Sequence, residues 1–470
     1  MKKNVSKSSR EIGSRIAVAV LFAALCVLTF LTISAISGSS RTVDSGFDLA
    51  ALTNEARQTD TDLSDYLLPE FIGVTVNGVR SGVAGAANIV SELYSLLTPT
   101  LRSAFFYTVP LEEGNWEDGT SAENSVYIKY HSELPDGILA LFAGMEANTS
   151  PDSIVFRGNV REIFILPPSS VSEDTIMMTR SDSGDMRMYL IPGHKASVGV
   201  DELERFVRSY GSSMTSFIFN EEKYEHLFWS EPVFTGDLSA RDLIMTDGTS
   251  ALIQNSSRER EEVLRIFGLN PDKLLNVHSE KDGSGSYYDT RGIVYFRNTT
   301  FEYVRSSADN GRSVSDILGR TFLTGRGAAE VLEDYIRAAV LLYESIAAVN
   351  PIYTGGEAAL TLRSVSAENG EVTLRFLYTV NNLRISDARD AFRITFSGGR
   401  ISSAELYTMA VRVLADRSSP YSEWWFASTL DRFASDVRLV YRSDYVSEAV
   451  SAEWAAEKLT FAETEAEDGE

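Results

Sequence analysis

The chain has 470 residues, 44 % of them hydrophobic and 10 % aromatic, so a packed core is expected and global disorder is not. Its net charge of −23 argues against nucleic acid or anionic lipid headgroups as ligands, because both would be repelled. The single cysteine, Cys26, excludes disulfides within the chain and multi-thiolate metal sites.

Residues 1–15 are basic, with Lys2, Lys3, Lys7, Arg10 and Arg15 against Glu11. Residues 16–36, IAVAVLFAALCVLTFLTISAI, then form an uncharged apolar run, and no second run like it follows. As a helix this run would reach roughly 31 Å, enough to cross the hydrocarbon core. The basic flank predicts a cytoplasmic N-terminus, a transmembrane anchor at 16–37, and everything beyond outside the cell. A cleaved signal peptide is the competing reading, with small residues at Ser34-Ala35-Ile36-Ser37-Gly38; such peptides have shorter apolar stretches, of about 7–15 residues. Cys26 lies mid-run behind Leu25, which does not suit a lipoprotein signal. Residues 1–41 carry +5, so the remainder carries −28. An exterior of that size without cysteine points to a bacterial cell surface rather than an oxidising eukaryotic secretory route, which makes the sequons at Asn148, Asn255 and Asn298 accidental.

Residues 38–65, rich in Ser, Thr, Asp and Gly, read as a stalk. A first mixed unit, 66–200, follows. It has predicted strands at 71–79, 126–130, 159–166, 175–181 and 185–191, with helices at 87–101 and about 137–146. A second unit, 201–318, opens with a helix over 201–210. A capping box, Ser256-Ser257-Arg258-Glu259, starts another helix that reaches Phe267 and stops at Gly268. A meander of strands at 274–280, 286–290, 292–297 and 300–306 completes it. In the third unit, 319–460, Ala328, Val331, Leu332, Tyr335, Ile336, Ala339, Leu342, Tyr343 and Ile346 form one apolar stripe of a long helix ended by Asn350-Pro351. Strands alternate through Val372–Val380 and Phe392–Phe396, with hairpin turns at Asn369-Gly370 and Gly398-Gly399 and a further strand at 401–413. A helix from Ser419-Pro420 to about Phe433, a closing strand at 438–441 and an acidic tail at 461–470 end the chain. The fold class expected is α+β, three mixed modules with antiparallel sheets behind one membrane helix.

No catalytic signature emerges. His131, His194, His226 and His278 are at least 32 residues apart, so no local metal-binding pair exists. Asp282-Gly283-Ser284-Gly285-Ser286 matches a D-x-S-x-S cation string, yet Tyr287-Tyr288-Asp289 begins another strand where that site needs a helix, which favours a polar hairpin turn. Gly325-Arg326-Gly327 lacks the third glycine and the lysine of a phosphate loop. Trp424-Trp425 suits core packing better than carbohydrate stacking. No particular acid pair stands out for glycoside hydrolysis. No enzyme activity, cofactor or metal is expected.

Several stretches resemble the YycH family, with the related YycI family similar mainly to the C-terminal half. They are Tyr66-Leu67-Leu68-Pro69-Glu70, Val126–Tyr130 running into Glu133-Leu134-Pro135, Gly292–Phe296, Leu374–Leu383 with Gly399-Arg400-Ile401, and Leu439-Val440-Tyr441 with Trp454. The turn after Asn382 lacks the family's Gly-x-Pro character, and no proline precedes Trp454. The resemblance implies a membrane-anchored accessory protein of the WalK–WalR two-component system, which controls cell-wall metabolism. It also implies contacts with a WalK-like sensor histidine kinase and a YycI-like partner, made by the exterior region and by the membrane helix. The anchor residues Ile16, Val20, Leu21, Phe22, Leu25, Leu28, Leu31 and Ile36 would supply that helix contact. The rival from another class is a surface-anchored glycan-binding protein or hydrolase acting on the wall.

Overall fold

The computed structural model describes residues 63–111, 114–143, 158–168, 173–193, 195, 197–219, 232–236, 238, 240–247, 257–274, 276–279, 284–297, 299–322, 328–386, 389–418, 434–442 and 449–458. All lie within one compact unit spanning Asn54–Glu470. The anchor, most of the stalk, the helix predicted after Ser419-Pro420 and the acidic tail lie outside the described residues.

The apolar run after Glu70 forms β1 (Phe71–Val76) and β2 (Val79–Val83) rather than one strand over 71–79. Asn77 and Gly78 both take positive φ, 51° and 75°, which is the two-residue turn whose twist matches that of the flanking strands. Helix α1 (Ala87–Tyr107) and α2 (Trp116–Ser121) precede β3 (Ser125–Pro135), and α3 (Asp136–Phe142) follows it. Next come β4 (Asn159–Leu166), β5 (Thr175–Arg180), β6 (Met186–Ile191), α4 (Val200–Tyr210), β7 (Thr215–Phe219) and β8 (Pro232–Phe234). The eight strands make one antiparallel sheet, ordered β6-β5-β4-β3-β1-β2-β7-β8.

Every residue of β1 is buried, so this central strand is covered on both faces. One face is aliphatic: Ile72 pairs with Ile128, which pairs in turn with Ile163, and Val74 with Val126, which pairs with Ile165. Above it, Tyr94 of α1 meets Tyr130 of β3, oxygen to oxygen at 3.1 Å. The other face is aromatic. Phe71 packs edge-on against Phe217 and Phe234 at 5.4 and 4.9 Å, and Tyr127 against Phe164 at 5.0 Å. Gly73 and Gly82 face each other across the hairpin because a Cβ would lie 2.7 Å from the Phe217 ring or 2.4 Å from the Phe71 ring.

Beyond β9 (Ala240–Asp247) and α5 (Ser257–Ile266), the meander is β10 (Asn276–Ser279), β11 (Gly285–Tyr288), β12 (Gly292–Phe296) and β13 (Thr300–Arg305). Gly268, φ +81°, stops the chain after α5. Helix α6 (Val314–Leu318) and the long α7 (Ala328–Val349) lead to β14 (Gly355–Gly356) and to β15 (Ala359–Glu368) and β16 (Glu371–Val380), which turn at Asn369-Gly370. Then come β17 (Leu383–Ser386), β18 (Phe392–Ser397), β19 (Arg400–Tyr407), β20 (Met409–Ser418), β21 (Ala434–Arg442), β22 (Ala449–Val450) and β23 (Glu453–Lys458). A second sheet runs β10-β11-β12-β13-β19-β18-β16-β17-β21-β23, with β15 on the other side of β16. A third is ordered β14-β20-β9-β22. Only the β14–β20 and β17–β21 pairings are parallel among the described strands. The architecture is therefore mixed α/β with antiparallel sheets.

Strand pairing crosses both unit boundaries drawn from the sequence. β2 pairs with β7 across 200/201, and β13 pairs with β19 across 318/319. The strand predicted at 401–413 is two strands. Its break falls at the buried Thr408, whose N–H donates to the Thr299 carbonyl, and there the chain passes from the second sheet to the third. Helix α7 is buried beyond its predicted stripe, at Ala338, Val340 and Leu341 as well. It also touches α3, α5 and α6, which cover faces that a two-layer arrangement would leave wet.

Candidate functional site

The eight predicted contact residues, Ile16, Val20, Leu21, Phe22, Leu25, Leu28, Leu31 and Ile36, lie outside the described residues. Among the described residues, no helix is long and apolar enough to cross a membrane, and no group of three or more His, Cys, Asp or Glu is placed to hold a metal ion. His194, His226, Asp282, Gly325–Gly327 and Trp424-Trp425 also fall outside. The described part of the D-x-S-x-S string, Ser284 to Ser286, enters β11, which pairs antiparallel with β10, as a hairpin requires.

The structure does bring together one concentration of buried polar groups, at the seam where β3 of the first sheet lies against β15 of the second. Three elements build it. The ladder between β3 and β4 shifts register between Lys129 and Leu134, and His131 sits in that irregular stretch, 2 % exposed. The Asn381-Asn382 turn joins β16 to β17 with φ of 49° and 69°, values that asparagine tolerates better than most residues. The segment before β1 contains a 3₁₀ turn, Leu63–Leu67, followed by Pro69-Glu70.

Asn382 is the hub. Its side-chain amide donates to the Pro69 carbonyl and, at 3.3 Å, to the Glu70 carbonyl. Its Oδ1 faces His131 Nε2 at 3.4 Å. Tyr66 Oη donates to Glu344 of α7 at 2.8 Å, and burial followed by the Glu344 carboxylate holds that phenol well above its usual ionisation range. Glu70 lies 3.7 Å from the buried Arg161, which is also 3.7 Å from Asp182. Nearby, Glu162 accepts from Tyr127 Oη at 2.7 Å and from Arg180, whose guanidinium lies over the Trp116 ring at 4.4 Å. Each of these charges is matched by a cation or a donor, as burial demands. Chemically this is a hydrogen-bonded joint, with groups engaged in holding each other in place.

The sequence holds Tyr66–Glu70, Val126–Pro135 and Leu374–Leu383 far apart as separate family-like stretches, and all three meet at this joint. Its local patterns did not single out Asn382, Glu344 or Arg161. The one local signal was the Asn-Asn dipeptide between two apolar strands, a turn composition.

Burial also pushes up the phenols beside the joint, Tyr94 to about 12 and Tyr130 well above the usual value of 10, and Tyr303 of β13 to about 12. An unfolded tyrosine ionises near 10, so the folded state holds the extra protons above that pH. Their contribution to stability is complete below about pH 10 and is lost as pH rises toward 12 and beyond. In a spectrophotometric titration, exposed phenols should ionise first, near pH 10. The buried ones should follow only as near-ultraviolet dichroism collapses. One smooth step near pH 10 with dichroism intact would contradict this burial.

No family model matches the sequence, and no curated protein matches it. The class defined by fold and joint is a mixed α/β chain whose two large sheets, antiparallel among the described strands except at β17–β21, meet at a buried polar seam.

Proposed function

We propose that this chain is a membrane-anchored, extracytoplasmic accessory protein that regulates a cell-wall sensor histidine kinase of the WalK type. It does so through contacts made by its exterior region and its membrane helix, with a YycI-like protein as a second partner. The observation that carries this reading is the lone apolar run at 16–36 behind a basic flank, followed by a large acidic remainder without a catalytic signature. The resemblance to the YycH family supplies the partner.

Crosslinking in intact membranes followed by purification of the chain tests the proposal. A sensor histidine kinase should be recovered, and a variant whose residues 16–36 are replaced by an unrelated apolar helix should recover less of it. Recovery of no kinase, together with binding to purified peptidoglycan or release of fragments from it, would shift the assignment to a glycan-binding protein or hydrolase.

A further inference from the structure

Residues 63–70 precede the first strand, and their contacts run into both large sheets. The turn Leu63–Leu67 lies against β15 and α3, with Leu63 and Leu67 9 % and 1 % exposed. Tyr66 is tied to α7 through Glu344, and the carbonyls of Pro69 and Glu70 are tied to the β16–β17 turn through Asn382. The Glu70 side chain reaches toward Arg161 of β4. The next residue, Phe71, opens the central strand of the first sheet, whose ladder bonds begin only there. An eight-residue segment thus bonds to the second sheet immediately before it enters the first.

We propose that residues 63–70 act as a strap that holds the seam closed and stand, among the described residues, first in the path of a pull or twist arriving from the N-terminal side. The regulatory meaning of the strap rests on the proposed anchor at 16–36; its mechanics do not. Among the described residues, load entering from the N-terminal side passes through the Tyr66 and Asn382 hydrogen bonds and two buried leucines before it reaches a strand ladder. Once these bonds open, β1, β3 and β15–β17 lose their hold at the seam and their ladders open more often while the outer ladders persist, so strap release is a partial opening that precedes global unfolding. Tyr66 remains protonated throughout the neutral range, so the bond to Glu344 is a steady latch rather than a pH switch.

Hydrogen exchange on the full chain, wild type against Tyr66→Phe and Asn382→Gly, tests this. Glycine keeps the positive φ while removing the amide. Each variant should speed exchange about tenfold in residues 63–76, in β3 and in β15–β17, because a hydrogen bond to a charged or buried partner contributes about that factor. Strands β5, β6 and β10–β12 should be unchanged. Pulling the full chain between its ends should show an extension step of about 28 Å, the length of eight residues, before the seam strands yield, and the paired variant should lose it. A uniform rise in exchange, a rise confined to residues 63–70, or a step of about 28 Å unaltered in the paired variant would each overturn the strap. If the paired variant fails to fold, Tyr66→Phe alone, which removes one oxygen, carries both measurements. Neither readout involves a kinase, so failure of the regulatory assignment and failure of the strap are separately visible.

Discussion

Asn382→Ala is expected to lower the unfolding free energy by about 3 kcal/mol, measured by urea denaturation. The residue is 3 % exposed and sits at φ 69°, so alanine loses twice. Removing the amide leaves the Pro69 and Glu70 carbonyls buried without their donor, which costs about 1–3 kcal/mol. Placing a Cβ without a compensating side-chain contact in the left-handed region costs roughly 1 kcal/mol more. Asn382→Gly should recover that second part, and Asn382→Asp should be worse than either, because a carboxylate would face two carbonyls. A loss below about 1 kcal/mol for the alanine variant would mean that the carbonyls find other donors, and the joint would then not depend on this side chain.

Phe392→Ala should cost about 3–5 kcal/mol, the range for removing a buried aromatic from a close-packed site. The ring is fully buried on β18, stacked with Phe376 at 5.9 Å and 5.9 Å from Tyr343 of α7, so it cements the long helix to the second sheet. Phe392→Leu, which retains most of the volume, should cost less than about 1.5 kcal/mol. Denaturant midpoints for the two variants give the comparison directly. Equal small losses in both would show that the helix collapses onto the gap, and the cement would lie elsewhere.

Both effects arise from residues whose local setting was legible to different degrees. Phe392 belongs to an alternation, Phe392-Ile394-Phe396, that marks a one-sided strand without any structure. Its partner Tyr343 lies on the predicted stripe of the long helix, so their eventual contact was half legible. Asn382 was not. Its importance comes from Pro69 and Glu70, more than 300 residues earlier in the chain. No pattern within a window of ten or twenty residues encodes that pairing.

The same division holds along the whole chain. Sequence by itself determined the run at 16–36 as an apolar stretch, the strands β4, β5 and β6 nearly to the residue, the meander β10–β13, the long helix, and the turns at Asn369-Gly370 and Gly398-Gly399. These follow from periods of two or 3.6 residues and from turn residues that accept positive φ, all of which are local properties. Only the tertiary structure decided that 71–83 folds back at Asn77-Gly78, that the chain changes sheets at Thr408, and that strand pairing crosses the 200/201 and 318/319 boundaries. It alone decided that residues 63–70 bridge two sheets. A strand's unpaired edge takes whichever partner the folded chain brings to it, and a buried carbonyl takes whichever donor lies beside it. Those choices are settled by distance in space.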